Sequence, residues 1–183
     1  MRNFNQGRYF NALSKFSTNR LEKFKDCSIL ITGANGLIGG TILDFFQFLN
    51  ETCDFNISIT VLVRGELQKH KFFDYDKINI INSDINVFIN CDIPFNYIFH
   101  AASNAHPKAY TDWPVETALT NIIGTKNLIE LAQRSNARLI FISSSEVYGE
   151  DLLDREFRAE KDFGYIDINT SRACYSESKR MAE

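Results

Sequence analysis

The chain has 183 residues, enough for one well-packed core and little besides. Its 44 % hydrophobic content and net charge of −3 describe a globular chain without the basic excess of a nucleic-acid binder. No apolar run reaches the length of a membrane span, and the start Met-Arg-Asn-Phe-Asn-Gln lacks the apolar core of a signal peptide. Cys27, Cys53, Cys91 and Cys174 are scattered, without metal-ligand spacing. A cytoplasmic protein with reduced thiols is therefore expected, with no metal site, nucleic-acid partner or membrane contact.

Residues 1–26 carry Phe10, Leu13, Phe16, Leu21 and Phe24 at roughly helical spacing, which predicts a leader helix packed on the outside of a sheet. Residues 27–183 are expected to form one dinucleotide-binding domain. It opens with a short apolar strand (Ile29, Leu30, Ile31), a glycine-rich turn, and a helix from about Leu37 to Asn50. Gly33, Gly36 and Gly39 stand where strand gives way to helix. One glycine makes the tight turn, one admits a pyrophosphate to the backbone amides, and one lets helix and strand pack closely. The free N–H groups of the helix start then face the phosphates.

A polar connection, Asn50 to Asn56, leads to a second strand, Ile57 to Val63, which ends at Arg64-Gly65. An acid at this tip favours a free ribose 2′-hydroxyl, whereas an arginine accommodates a 2′-phosphate. Arg64 can equally stack on adenine or stand in solvent. Glu66 to Lys77 is polar and reads as a short helix plus loop. Ile78 to Ile81 makes a third strand, followed by Asn82-Ser83-Asp84-Ile85. Asn96 to Ala102 makes a fourth, whose small residues permit close approach to a cofactor. A long helix from Pro114 to Ser135 carries Leu119, Ile122, Ile123, Leu128 and Leu131 on its apolar side. Arg138 to Ser143 is the fifth strand. Strands separated by helical crossovers imply an α/β fold: a doubly wound, Rossmann-like parallel sheet of five strands with helices on both faces.

The fifth strand runs into Ser143-Ser144-Ser145-Glu146-Val147-Tyr148-Gly149, where a sheet of this kind binds its ligand. Glu146 reads as a carboxylate facing substrate, or as a turn residue bonded to backbone amides. Ser171 to Lys179 begins a helix, with Asn169, Thr170 or Ser171 available as its cap. Tyr175 and Lys179, four residues apart, share one helix face. A free phenol, with a pKa of ~10, is a poor base at neutral pH. A neighbouring ammonium stabilises phenolate and makes it a better one. Serine hydroxyls across the pocket would hold a sugar hydroxyl against the phenol while hydride leaves its carbon.

Taken together, Thr32-Gly33-x-x-Gly36-x-x-Gly39, Asp84-Ile85, His100-Ala101-Ala102, Asn121-x-x-Gly124-Thr125, Ser144-Ser145-Glu146-Val147-Tyr148-Gly149 and Tyr175-x-x-x-Lys179 cover residues 27 to 183. In this set the chain resembles the extended short-chain dehydrogenase/reductases, the NAD-dependent epimerases and dehydratases that act on nucleotide sugars. Within that family, the segments His100 to Tyr110 and Arg172 to Glu183 are most similar to the UDP-glucuronate decarboxylases. The resemblance implies Ser144, Glu146, Tyr175 and Lys179 as the catalytic set, with Tyr175 as acid/base and Ser144 orienting the sugar 4-hydroxyl. It implies a cofactor site of Gly33, Asn35, Gly36, Leu37, Ile38, Gly39, Arg64, Asp84, Ile85, Ala101, Ala102, Ser103 and Asn121, together with Tyr175 and Lys179. Asp84 and Ile85 would hold adenine, and Lys179 the nicotinamide ribose.

The implied reaction oxidises C4 of a sugar nucleotide with NAD, releases carbon dioxide from C5, and returns the hydride to C4. Arg64 departs from the acid usual among the family's NAD users, so NADP is the second cofactor implied. Ser145 stands where dTDP-glucose dehydratases usually carry Asp, while 4-epimerases share every step up to the ketone. A non-catalytic dinucleotide sensor is the rival reading from another class. The chain ends inside the active-site helix, so an incomplete domain without the C-terminal substrate domain is expected. Related enzymes commonly pair as homodimers through two long helices, for which Pro114–Ser135 is the candidate.

Overall fold

The computed structural model describes residues 6–15, 20–68, 73, 75–87, 89–150 and 157–183. Five strands form one parallel sheet: β1 (Ser28–Thr32), β2 (Ser58–Val63), β3 (Asn79–Asn82), β4 (Tyr97–His100) and β5 (Arg138–Phe141), in the order β3-β2-β1-β4-β5. The chain steps outward from β1 to one edge, then returns to β1's other side for β4 and β5. That reversal opens a crevice at the carboxyl ends of β1 and β4. The register holds Ile31 between Val61 on β2 and Phe99 on β4.

Side chains alternate across β1 and β2, and both faces are sealed, as a doubly covered parallel sheet requires. Ile29, Ile31, Ile59 and Val61 pack on one face with Leu43, Phe46 and Leu49 of α2 (Leu37–Cys53). Leu30, Leu62 and Ile98 pack on the other with Leu128 and Leu131 of α4 (Pro114–Ser135). A fully buried Leu or Ile contributes about 1.5–3 kcal/mol, so these two layers are the main support of the crevice. Asp44 and Gln47 are buried polar residues of α2, and Asp44 is tied down from both sides. Its carboxylate accepts the Tyr9 hydroxyl at 2.7 Å and the Tyr75 hydroxyl at 3.0 Å, which ties α1 (Gln6–Leu13) to the segment before β3.

Helix α4 has the bounds its sequence predicts, with Pro114 in its first turn and Asn136 in the left-handed region at its end. Its apolar side is narrower than expected. Leu128 and Leu131 are buried and Ile122 and Ile123 half-buried, but Leu119 is 45 % exposed. Helix α2 runs past Asn50 to Cys53 and stops at Asp54, another left-handed residue. β4 ends at His100, short of Ala102, because the Ala102 N–H leaves the ladder for the Thr32 hydroxyl at 3.1 Å.

The expected leader helix is not continuous. Residues 1–5 and 16–19, Phe16 among them, lie outside the described residues. The rest of the segment holds α1 and a separate 3₁₀ turn at Glu22–Phe24, where Phe24 packs edge-on against Phe46 and Tyr97. The helix expected in Glu66–Lys77 is absent among the described residues there; 69–72 and 74 lie outside them. A short α3 (Pro107–Asp112), unforeseen, starts at Pro107, with His106 Nδ1 accepting the Ala109 N–H at 3.2 Å. The last helix, α5 (Ala173–Ala182), is not capped by Asn169, Thr170 or Ser171. Thr170 instead donates to the Asp167 carbonyl at 3.0 Å, so the chain enters α5 through a turn, and Arg172 at the N-cap makes no side-chain cap.

Candidate active site at the carboxyl ends of the strands

The glycine turn is a matter of space. Gly33 has φ +71°, and a Cβ there would lie 2.6 Å from the Ala101 carbonyl oxygen. The turn therefore rests directly on the backbone leaving β4, and only glycine fits. A Cβ on Gly39 would collide with the Gly33 carbonyl, so the start of α2 packs on the turn itself. The Gly36 N–H closes the turn on the Gly33 carbonyl at 2.9 Å. Leu37 and Ile38, 88 % and 52 % exposed, stand out from the first turn of α2.

Beside this turn lies a cleft of ≈ 190 Å³ that brings together Gly33, Asn35, Arg64, Asp84, Ile85, Ala102 and Ser103. Leu37 and Ile38 are not in its lining. Asn35 is occupied with structure: it donates to the Glu66 carbonyl at 3.0 Å and accepts the Gln68 N–H at 2.8 Å, fastening the loop after β2. Arg64 reaches Asp84 at 3.7 Å, with both side chains open to solvent. Asp84 also accepts the Asn86 N–H at 2.8 Å, and Asn127 holds the Ile85 carbonyl at 2.8 Å. A backbone cradle, a cation at the strand tip and an apolar slot at Ile85 fit a dinucleotide's pyrophosphate, ribose and base.

A buried polar chain connects this cleft to α5. His100 bonds Thr32 Oγ1 through Nδ1 at 3.0 Å and Thr125 Oγ1 through Nε2 at 3.1 Å. The directions are fixed by the neighbours. Thr125 donates to the Asn121 carbonyl at 2.5 Å, so it accepts from His100 Nε2–H. Nδ1 must then accept from Thr32, whose oxygen receives the Ala102 N–H. Burial, with the Lys179 charge adding to it, brings the imidazole pKa down to about 3, in keeping with this neutral tautomer. Asn121 carries the chain onward, accepting from Ser103 at 2.8 Å and donating to Ser178 at 2.9 Å.

The candidate acid/base corner is assembled from β5, the 3₁₀ turn Ser145–Tyr148, and α5. Lys179, 2 % exposed, donates to the Ile142 carbonyl at 2.7 Å and stands 4.4 Å from the Phe141 ring centroid. Burial lowers its pKa to about 8, with the Glu183 carboxylate opposing the shift. The Tyr175 ring is 6 % exposed and stacks on Tyr110 at 4.6 Å with 22° between planes. No hydrogen bond holds its hydroxyl among the described residues. The Ser144 oxygen accepts the Glu146 N–H at 3.2 Å and caps the 3₁₀ turn, which leaves its own proton free to be donated. Ser143 bonds Glu183.

Glu146 lies in a second cleft, ≈ 980 Å³ in volume, with Tyr148, Arg172 and Ser176. Its carboxylate is gripped by the Arg172 fork, Nε at 3.1 Å and Nη2 closer, and it accepts Ser176 Oγ at 3.0 Å. The Arg172 bond holds the Glu146 carboxyl below its ordinary range, against burial and with help from Ser176. Arg172, Ser176 and Tyr110 are the side chains that sequence reasoning missed. Arg172 and Ser176 stand on either side of Tyr175 in a helix start, which was a signal for the first two. Tyr110 closes a segment that carries the resemblance, but nothing in its spacing shows that it meets Tyr175, which it does only through the fold.

A doubly wound parallel sheet with a glycine turn at its reversal defines an α/β protein of the Rossmann-like class. The NAD dependent epimerase/dehydratase family matches residues 29–183, and the chain belongs to it. It is 33 % identical over 157 residues to UDP-glucuronic acid decarboxylase 6 of Arabidopsis thaliana, covering 85 % of this chain and 44 % of that protein. It is 32 % identical over 157 residues to UDP-glucuronic acid decarboxylase 1 of Xenopus tropicalis, covering 85 % and 35 %. Among solved structures, an epimerase from Methanothermobacter thermautotrophicus superposes with a TM-score of 0.69 at 19 % identity, over 90 % of this chain and 47 % of its own. The dTDP-glucose 4,6-dehydratase of Bacillus anthracis, in complex with NAD, gives 0.62 at 21 %, over 85 % and 48 %. The chain thus spans less than half the length of these relatives, and the structural likenesses at such identities speak to fold alone.

Proposed function

We propose that this chain supplies the cofactor site and the acid/base residues of an enzyme that decarboxylates UDP-glucuronate to UDP-xylose through a C4 ketone. One observation carries the reading: the Tyr175 ring is locked in place against Tyr110 with its hydroxyl uncommitted, one helical turn from Lys179. The ring is buried but its hydroxyl oxygen is not, so the oxygen stands open to solvent and to a substrate hydroxyl. The similarity to UDP-glucuronic acid decarboxylases supports the choice of substrate.

In this reading Tyr175 takes the proton of the sugar 4-hydroxyl and later returns it, while the Ser144 hydroxyl donates to the same oxygen and aligns it. Lys179 spends one N–H on Ile142 and has two left for the nicotinamide ribose and the phenol. Arg172 neutralises Glu146, so the corner does not repel a sugar carboxylate. Bound in the first cleft, NAD would supply the acceptor and donor of a hydride at C4. Asp84 and Ile85 would hold its adenine; Arg64 leaves room for a 2′-phosphate, and NADP is the second candidate. The exposed Val115, Leu119 and Ile129 on α4 would form the pairing face of a homodimer in the cytoplasm.

The test is product analysis with the full-length protein, given UDP-glucuronate and either NAD or NADP. Carbon dioxide and UDP-xylose are expected. A 4-keto-6-deoxy sugar from dTDP-glucose, or inversion at C4 of a UDP-hexose, would replace decarboxylation by dehydration or epimerisation. Tight NAD(H) binding with no turnover of any of these would make the protein a sensor.

A further inference from the structure

We propose that Tyr110 is a positioning residue for the acid/base corner: its ring fixes the plane of the Tyr175 phenol and links that phenol to the Arg172–Glu146 pair. The inference rests on the reading of Tyr175 as proton carrier.

Tyr175 needs such a support. Its hydroxyl must stay uncommitted for substrate, so no hydrogen bond can orient it. The ring torsion of a tyrosine is broad and settled only by packing. Rotation about that torsion leaves the phenol oxygen on the ring axis but turns the plane in which its O–H lies. The plane therefore sets the direction in which the proton is handed over, and proton transfer depends on direction as well as distance.

The stack supplies this constraint. The two rings lie 4.6 Å apart with 22° between their planes, and both are buried. The same Tyr110 ring lies 5.9 Å from the Arg172 guanidinium carbon, and that guanidinium grips Glu146. The support is itself rigid. α3 begins at Pro107 under the His106 cap, and Thr117 of α4 donates to the Ala109 carbonyl at 3.4 Å. Burial, and after it the neighbouring Tyr175 and Glu146, push the Tyr110 phenol up to about 12. Tyr110 thus stays neutral and places no competing charge beside the working phenol.

The experiment compares Tyr110→Phe, which keeps the stack, with Tyr110→Leu, which keeps apolar bulk but offers no ring plane. Both are made in the full-length protein. Turnover and NADH affinity are measured alongside NMR of ring-labelled tyrosine at Tyr175. Tyr110→Phe should keep kcat within about threefold of wild type, whereas Tyr110→Leu should lose about 100-fold with NADH affinity unchanged. The Tyr175 ring signals should shift and average by faster flipping in the Leu variant but not in the Phe variant. Should Tyr110→Leu fail to fold, Tyr110→Met takes its place. A Leu variant as active as wild type, or a Phe variant as damaged as Leu, overturns the proposal. If wild type turns over no nucleotide sugar, the catalytic reading of Tyr175 fails. The NMR signals then decide alone, and Tyr175 signals unchanged in both variants refute the positioning role.

Discussion

The two halves of the site are built by opposite means. At the nucleotide end, the work is done by backbone and by absent side chains: Gly33 fits because a Cβ would strike the chain leaving β4. In the proposed acid/base corner, it is done by side chains that meet from distant parts of the chain, as Glu146 meets Arg172 and Tyr110 meets Tyr175. The first half should fail through sterics, with the fold going down along with the function. The second should lose its chemistry while the fold persists.

The sharpest way to break this contrast is a pair of glycine substitutions. Gly33→Val places a β-branched side chain at φ +71° with its Cβ 2.6 Å from a carbonyl oxygen, and should cost about 3 kcal/mol or more of stability. Gly65→Ala shares the strain at φ +81° but meets open space, and should cost only about 1–2 kcal/mol. Urea titration of the two variants measures the difference, and equal losses would show that close approach at Gly33 matters less than backbone strain.

An intermediate effect concerns Lys179. Its folded pKa of about 8 lies below the ordinary lysine value of 10.5, so between those limits the unfolded chain binds more protons than the folded one. The cost of burying the ammonium is present in full below about pH 8, and is relieved as pH rises towards 10.5. Tyr110 and other buried acids titrate at the alkaline end with the opposite sign, so the test is a difference. The stability of wild type minus that of Lys179→Met should rise across this window. A flat difference would mean that Lys179 is not buried as a charge.

The smallest effect on stability belongs to Arg172→Ala. Arg172 stands largely in solvent while Glu146 is partly covered, and the pair should contribute about 1 kcal/mol. Turnover should nevertheless fall well beyond that, because Glu146 is then left uncompensated beside a charged substrate. A variant that loses stability and turnover in proportion would erase the distinction between the two halves.

What the sequence made legible follows the same division. The glycines, the five strands and the bounds of α4 were readable because each is set by residues close in sequence, such as Pro114 and Asn136 at the ends of one helix. Tyr175 and Lys179 were readable because helical spacing alone puts them on one face. The leader segment was misread because roughly periodic aromatics do not distinguish one helix from α1 plus the 3₁₀ turn that seats Phe24. The Arg172 grip on Glu146 and the Tyr110 stack were hidden, since neither follows from spacing. Asn35 showed a further limit: it lines the first cleft, but its side chain serves the loop after β2.

The most direct test of the account is Tyr175→Phe in the full-length protein, with NADH affinity and turnover of UDP-glucuronate measured on one preparation. The stack on Tyr110 survives the change, so NADH should bind as to wild type while turnover falls by about 10²–10⁴-fold. A Phe variant that binds NADH normally and turns over within tenfold of wild type would contradict the assignment of the proton to Tyr175.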